Sequence, residues 1–305
     1  MGNASVSFVL CHEEFDHRLV DSCFQEEAEA LTDLEIRYDL VDFVALKQQD
    51  GAAAVRRVRS AAQPTIAIYR GWMLAEAEYA VLHAALQTKN LTLLNTPAQY
   101  AHCHYLPNCY ARIEAFTPKS IWIPNHEVRE LDEIVAQVQA FGPKAAIVKD
   151  YVKSRKHEWH EACFIPSTSD ADAVRRVVTN FIERQGNDLQ GGLIFREFIP
   201  LLPAGTHPQS GMPLTQEWRS LVLDGQVIET APYWDVQFYC ESPPMQKLEA
   251  VLANVKSRFF SCDVAQAADG NWWIIELGDA QVAGLPPTTK PEVFFRRVTE
   301  RVSHE

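Results

Sequence analysis

The chain of 305 residues predicts two architectures in succession. A doubly wound α/β region with a parallel sheet comes first, and an α+β region built on hairpins follows. Three observations carry this expectation. Over the first hundred residues, strand-length apolar runs alternate with helical spacings of ten or more residues, the pattern of a parallel sheet with crossover helices. Beyond "SIWIP" (120–124) helices and hairpins mix instead. Asp224-Gly225 and Asp269-Gly270 each lie between alternating apolar runs, a strong short-range hairpin signal.

Taken in order, "VSFVLC" (6–11) reads as a buried strand and 15–31 has helical spacing. "YDLVDFVAL" (38–46) and "TIAIYRGWML" (65–74) read as strands, 74–90 as a helix and "LTLLN" (91–95) as a strand. No Gly-x-Gly-x-x-Gly follows the first strand, so a dinucleotide site is not indicated. Segments 126–141 and 170–185 read as amphipathic helices, the second capped by Asp170 and stopped at Gly186. Strands are expected at 145–152 and 191–201, hairpins over 217–231 and 259–277, and a closing helix at 291–302. The cluster Asn95-Thr96-Pro97 marks the least defined boundary. The expected division is 1–110, 111–190 and 191–305.

The chain is 47% hydrophobic and 22% charged, a globular composition. Its apolar runs fall short of the roughly 20 residues that a membrane helix needs, and its start lacks the basic and apolar segments of a secretory signal. The Met1-Gly2 start loosely resembles an acylation signal, set aside because Val6 to Leu10 read as a buried strand. Net charge is −12. Long nucleic acid is held mainly by Lys and Arg on phosphates, so such a partner is not expected. Seven scattered cysteines favour a reducing, cytoplasmic setting over a disulfide framework. His157, His160 and Cys163, and separately His102, Cys103, His104 and Cys109, lack the paired spacing of a zinc site.

The sharpest chemical signal is a set of carboxylates inside the most apolar strands. If Asp269-Gly270 is a two-residue turn, Ala268 pairs with Asn271 and Asp263 falls opposite Glu276. Like charges facing across a hairpin destabilise it, and burying both costs more. A hard divalent cation with oxygen ligands resolves the conflict, and Asp279 just beyond could complete such a site. The basic signal is "IVKDYVKSRKHEW" (147–159): Lys149 on a strand, then a loop with Lys153, Arg155 and Lys156. A fixed lysine followed by a basic loop suits a polyphosphate. Glu197, Phe198 and Ile199 stand where a strand turns into a loop and can offer backbone groups to a base edge. Glu217 and Arg219 share one face of the next hairpin. There Arg219 either pairs with Glu217 or meets a transferring phosphoryl group. Arg70, at a strand end of an open α/β sheet, could clamp a substrate carboxylate.

In this order, "IVKDYVKSRKHEW", "FREFIPL", "EWRSLVLDG" and "CDVAQ…IIELGDAQVAGLP" resemble the ATP-grasp superfamily. The sequence looks closest to the clade named for one arginine and two lysines, with "IYRGWML" and "IELGDAQVAGLP" the most clade-like pieces. The resemblance implies a Rossmann-like pre-ATP-grasp region followed by two α+β lobes clasping ATP. It implies Lys149 on phosphate and the adenine edge, and Lys153, Arg155 and Lys156 on a phosphate-covering loop. Glu197, Phe198 and Ile199 would read adenine, Arg219 would lie at the transferred phosphate, and Asp263 and Glu276 would hold Mg²⁺. Gly278 stands where many relatives have a metal-site Asn, and the usual early lysine of the small lobe is replaced by "AHCHYLPNCY" (101–110). The implied activity is ATP-dependent carboxylate–amine ligation through an acylphosphate, on small-molecule or peptide substrates and with a homodimer as an oligomeric form. The alternatives are a ligase for RNA or protein termini and a nucleotide-binding regulator without chemistry.

Overall fold

A computed structural model describes residues 6–125, 130–206, 213–236, 239 and 241–303. Four sheets organise them. The first holds β1 (Val6–Cys11), β2 (Tyr38–Val41), β3 (Thr65–Arg70) and β4 (Leu91–Leu93), in the order β2-β1-β3-β4 and all parallel. The second holds β5 (Ser120–Pro124), β6 (Ala146–Asp150), β7 (Phe164–Ile165) and β8 (Gly192–Glu197), in the order β5-β8-β6-β7 and antiparallel. A short ribbon pairs β9 (Pro203–Thr206) with β10 (Pro213–Thr215). The last sheet holds β11 (Glu217–Leu223), β12 (Gln226–Pro232), β13 (Phe259–Gln266) and β14 (Trp272–Asp279), in the order β12-β11-β13-β14. Strand β8, which the expected division puts at the head of the third unit, is hydrogen-bonded inside the second sheet.

Helix α1 (Gln25–Asp33) covers one face of the parallel sheet. The other face carries α2 (Phe43–Lys47), α3 (Gly51–Ala54) and α4 (Glu76–Gln87). Two expectations fail locally here. Residues 15–21 form a loop rather than helix, because the Glu13 carboxylate caps the amides of Phe15 and Asp16 and Asp21 opens a 3₁₀ turn. The strand expected over 38–46 stops at Val41, because the Asp42 side chain accepts from the Ala45 N–H and caps α2. The segment 101–110 lies in α5 (Pro97–His104) and α6 (Leu106–Ile113), with Thr96 and Gln99 capping α5 reciprocally.

Helices α7 (Leu131–Gln139), α8 (Trp159–Ala162) and α9 (Ala171–Gln185) follow. Helices α7 and α9 enclose the core of the second sheet around Val148, Phe181 and Phe195. The helix expected from residue 126 is seen from 131, and residues 126–129 lie outside the described set, as does the Met1-Gly2 start. Helix α10 (Met245–Leu252) packs on the last sheet with α6. Helix α11 (Pro291–Ser303) returns to the parallel sheet, where Phe295 meets Phe8 edge-on at 4.8 Å between ring centroids. That apolar cluster also contains Leu221, Leu223 and Phe259, so the parallel sheet and the last sheet share one core. No helix of the described residues is long and apolar enough to cross a membrane.

The two hairpins differ. Asp224 and Gly225 both take positive φ, 48° and 74°, and close β11–β12 as a two-residue turn. The β13–β14 turn is one residue longer. The Ala267 N–H donates to Asn271 and the Gly270 N–H to Ala267, leaving three residues in the loop with Gly270 at φ 86°. This shifts the register, so Val264 pairs with Ile274. A bulge between Asp263 and Val264 leaves Ile275 as the extra residue and restores the pair Asp263–Glu276. The expected pair is present, but the two-residue turn used to derive it is corrected to a three-residue turn plus a bulge.

Candidate functional site

The register lays charges in a row across the last sheet. Arg219 of β11 lies opposite Asp263 of β13, which lies opposite Glu276 of β14. Arg219 grips Asp263 with two parallel bonds, Nε to Oδ1 and Nη2 to Oδ2, both 2.8 Å. Its Nη1 donates to the Gly284 carbonyl at 3.0 Å, and its guanidinium lies 4.6 Å from the Tyr233 ring centre. From the second sheet, Lys149 donates to Glu276 Oε1 at 3.0 Å. The site therefore spans two sheets.

Burial sets the electrostatics. Asp263 is 4% exposed; desolvation raises its pKa and outweighs the opposing pull of Arg219. Glu276 also feels desolvation, but Lys149 and then Lys156 draw its pKa down to about 2. Its side chain is 46% exposed, so screening shrinks the energy of that shift. Desolvation lowers the Lys156 ammonium, yet Glu217 and Glu276 hold it above its usual value. Arg219 does not pair with Glu217. The Glu217 carboxylate accepts from Thr215 Oγ1 at 2.5 Å instead.

The basic loop divides. Lys156 stays near the site, facing Glu217 and Glu276, while Lys153 lines a neighbouring cavity with His104. Arg155 turns away and bonds Glu158, the Arg184 carbonyl and Gln185, which corrects its place among the phosphate contacts. The loop is held from beneath by Asp150, fully buried, which accepts from the amides of Val152 and Lys153 and from Gln185 Nε2. Sequence reasoning missed Asp150. Its signal was an acid on an apolar strand directly after Lys149.

At the other end of β6–β8, Phe198 pairs back to the Ala145 carbonyl. Its ring joins Trp159 and Phe164, at 5.8 and 5.1 Å between centroids. The Ile199 amide has no hydrogen-bond partner among the described residues. Glu197 Oε1 accepts from Lys144 at 2.6 Å. This half-buried aromatic patch lies on the same sheet face as Lys149, by the alternation Lys149, Ile147, Ala145.

Two expected residues are not brought to the cluster. Asp279 lies three positions beyond Glu276 and so faces the other side of β14. It is fully buried and accepts from Asn95 Nδ2 at 2.5 Å and from the amide and side chain of Gln281. Desolvation raises its pKa to about 6, against the lowering effect of these bonds. Among the described residues no group of three His, Cys, Asp or Glu side chains could hold a metal ion; Asp279 is withdrawn from the expected metal set, and Asp263 and Glu276 stay as its candidates. Arg70 is 2% exposed. It bonds Glu27 of α1 through both carboxylate oxygens, at 2.6 and 2.7 Å, and donates to the carbonyls of Ala280 and Ala283 at 2.7 and 2.8 Å. It clamps the loop after β14 and is closed to a substrate.

The remaining carboxylates suit Mg²⁺ by their donor chemistry. Each Asp263 oxygen uses one lone pair on Arg219 and keeps the other. Glu276 Oε2 carries no partner among the described residues, and one or two carboxylates plus phosphates are the usual Mg²⁺ set.

A family model matches residues 137–298, just over half of the chain. It describes an ATP-grasp domain, family 3 of the clade named for one arginine and two lysines. No curated protein sequence matches the chain. Solved structures do. A RimK domain protein ATP-grasp from Sphaerobacter thermophilus is 16% identical with a TM-score of 0.59, covering 99% of this chain and 98% of that one. D-cycloserine synthetase DcsG is 14% identical with a TM-score of 0.61, covering 97% and 99%. ATP-grasp ligase PsnB, complexed with minimal precursor, Mg and ADP, is 14% identical with a TM-score of 0.57, covering 98% of each chain. At these identities the likeness is one of fold.

Proposed function

Because the chain belongs to family 3 of the one-arginine, two-lysine clade of ATP-grasp domains, we propose that it joins a carboxylate to an amine with ATP as the driving reagent, and that the row Arg219–Asp263–Glu276–Lys149 is its reaction centre. It is an ATP-grasp ligase that uses ATP and Mg²⁺. The observation that carries the site assignment is the meeting of Lys149 and Glu276 across two sheets at 3.0 Å.

In this reading adenine lies against Phe198, Trp159 and Phe164, with the Ile199 amide and the second Glu197 oxygen on its edge. Lys149, Lys153 and Lys156 contact the phosphates, and Asp150 keeps the loop in place. Asp263 and Glu276 would hold Mg²⁺, which would supply positive charge against the phosphates. The substrate carboxylate oxygen bonds to the γ-phosphorus, the bond to the β-phosphate oxygen breaks, and ADP leaves. Arg219, fixed by Asp263 and Gly284, lies where charge spreads over the transferring group. The amine nitrogen then bonds to the acyl carbon, phosphate departs with the C–O electron pair, and the nitrogen loses a proton. No enzyme nucleophile is needed. The units proposed are a parallel-sheet unit, a small lobe that includes β8, and a large lobe carrying the β13–β14 hairpin. A reducing, cytoplasmic setting is proposed on the scattered cysteines.

Glu276→Gln and Lys149→Ala test the assignment. Removing one preorganised charge typically costs about 10²- to 10³-fold in turnover. Each variant should lose ADP release on that scale with an unchanged circular dichroism spectrum. Full turnover by either would remove that residue from the mechanism.

A further inference from the structure

In the order β2-β1-β3-β4 the chain leaves β1 toward β2 and then reaches β3 on the opposite side. The carboxyl ends of β1 and β3 therefore open into a crevice, a usual ligand position in such sheets. Here it is a cavity of about 490 Å³ to which the reaction-centre residues already described contribute only Lys153.

Its inner wall carries polar groups with nothing to bond. His104 is 7% exposed and lines the cavity. Its ring stacks on Tyr100 at 4.8 Å and meets Tyr105 edge-on, yet neither nitrogen has a hydrogen bond among the described residues. Burial pushes its pKa down to about 4, so the imidazole is neutral. The Gln190 side-chain oxygen, on the same wall, is buried without a partner. Buried polar groups without partners are uncommon and call for an explanation. Glu14 and Asp188 also line the cavity, and neither forms an ion pair among the described residues. Of the two lysines present, Lys47 is paired with Glu78 at 2.7 Å and Lys153 belongs to the phosphate loop. The unmatched groups are mainly acceptors, which suits a ligand head rich in N–H.

The mouth is apolar. Six large hydrophobic side chains are exposed among the described residues, and three of them line this cavity. Val44, Trp72 and Met73, at 45%, 41% and 44% exposure, line the cavity, and Phe15 and Leu19 stand on the adjoining loop after β1. A cluster of this kind marks an interaction site.

We propose that this cavity is the acceptor subsite and that it takes a primary amine carrying a large apolar side chain, aromatic or branched aliphatic. The ammonium group is set against Glu14, Asp188 and the Gln190 carbonyl, with its nitrogen toward His104, and the side chain lies on Val44, Trp72 and Met73. The inference rests on the ligase reading for its chemistry. Its geometry has a separate readout in binding.

The test is calorimetric titration with L-phenylalaninamide, L-leucinamide, glycinamide and 3-phenylpropionate, with and without AMPPNP and Mg²⁺. Phenylalaninamide and leucinamide should bind at least about tenfold more tightly than glycinamide, the scale of a few methylenes in an apolar pocket, and 3-phenylpropionate should not compete. Val44→Ser with Met73→Ser should erase that preference while leaving AMPPNP affinity unchanged. His104→Phe, which keeps the ring stack, should weaken all three amides. Equal binding of the amides, no amide binding in either condition, or tighter binding of 3-phenylpropionate would overturn the proposal. Failure of AMPPNP to bind would instead count against the ligase reading and leave the amide result standing.

Discussion

Asp279 shows how far single residues can be read from sequence. Asp263 and Glu276 were legible because strand alternation and a hairpin bring them face to face, a local rule. Asp279 follows the same rule away from the site, since an odd offset of three turns its side chain to the opposite face. The partner that claims it there, Asn95, is 184 positions away and leaves no mark in the neighbouring sequence. Arg70 is similar: its place at a strand end was legible, its capture by Glu27 was not. The burial of Asp279 has a pH signature. Its folded pKa, about 6, lies above the ordinary aspartate value of 3.8, so the folded state holds an extra proton between those values. That contribution is fully present below pH 3.8 and is lost as pH rises through about 6. In urea unfolding from about pH 4 to 7, the wild type should lose stability relative to Asp279→Asn with rising pH, by up to about 1.4 kcal/mol per pH unit. Parallel curves would show that Asp279 carries no such proton.

At the scale of elements, the long helices 74–90 and 170–185 and the two Asp-Gly hairpins were legible, because periodicity and turn chemistry are written locally. The bulge in β14 was not, and its carbonyls are met by Arg196. This arginine of β8 is 5% exposed and has no carboxylate partner among the described residues. It donates to the carbonyls of Ile275 at 2.5 Å and Ile274 at 2.9 Å, and to Thr117 Oγ1 at 2.6 Å; Thr117 in turn donates to Ile274 at 2.8 Å. Desolvation lowers its pKa to about 10. The bonds satisfy carbonyls at the bulge and tie the second sheet to the strand carrying Glu276. Arg196→Met should cost about 1–3 kcal/mol in urea unfolding, the scale of one buried carbonyl left unpaired, that of Ile275, because Ile274 keeps its bond from Thr117. It should also raise the Mg²⁺ concentration needed for half-maximal ADP release. Unchanged Mg²⁺ dependence would reduce Arg196 to a structural tie.

At the scale of the whole molecule, the succession of a parallel sheet and hairpin sheets followed from counting strands and helices. The way they share one core through Phe8, Phe259 and Phe295 did not, because that contact is made by α11, the last helix, crossing back to the first strand. The sheets are joined by polar ties as well. Replacing Glu27 by Gln removes the charge opposite a fully enclosed Arg70, and breaking one partner of a buried ion pair costs about 3–5 kcal/mol. A single cooperative unfolding transition lowered by that amount, followed by both fluorescence and circular dichroism, is the expected result; two separated transitions would mean that the parallel sheet melts independently.

The clamp on the loop after β14 reaches further than stability. Ala283 and Gly284 are consecutive, and their carbonyls are held by Arg70 and Arg219 respectively. Glu27 is thus four handshakes from Asp263, through two guanidinium groups that share a stretch of main chain. A change in the first helix, remote from the proposed nucleotide and metal positions alike, would slacken the arginine proposed to face the moving phosphoryl group. Loss of catalysis without loss of ATP binding, mapped to α1, would be its trace.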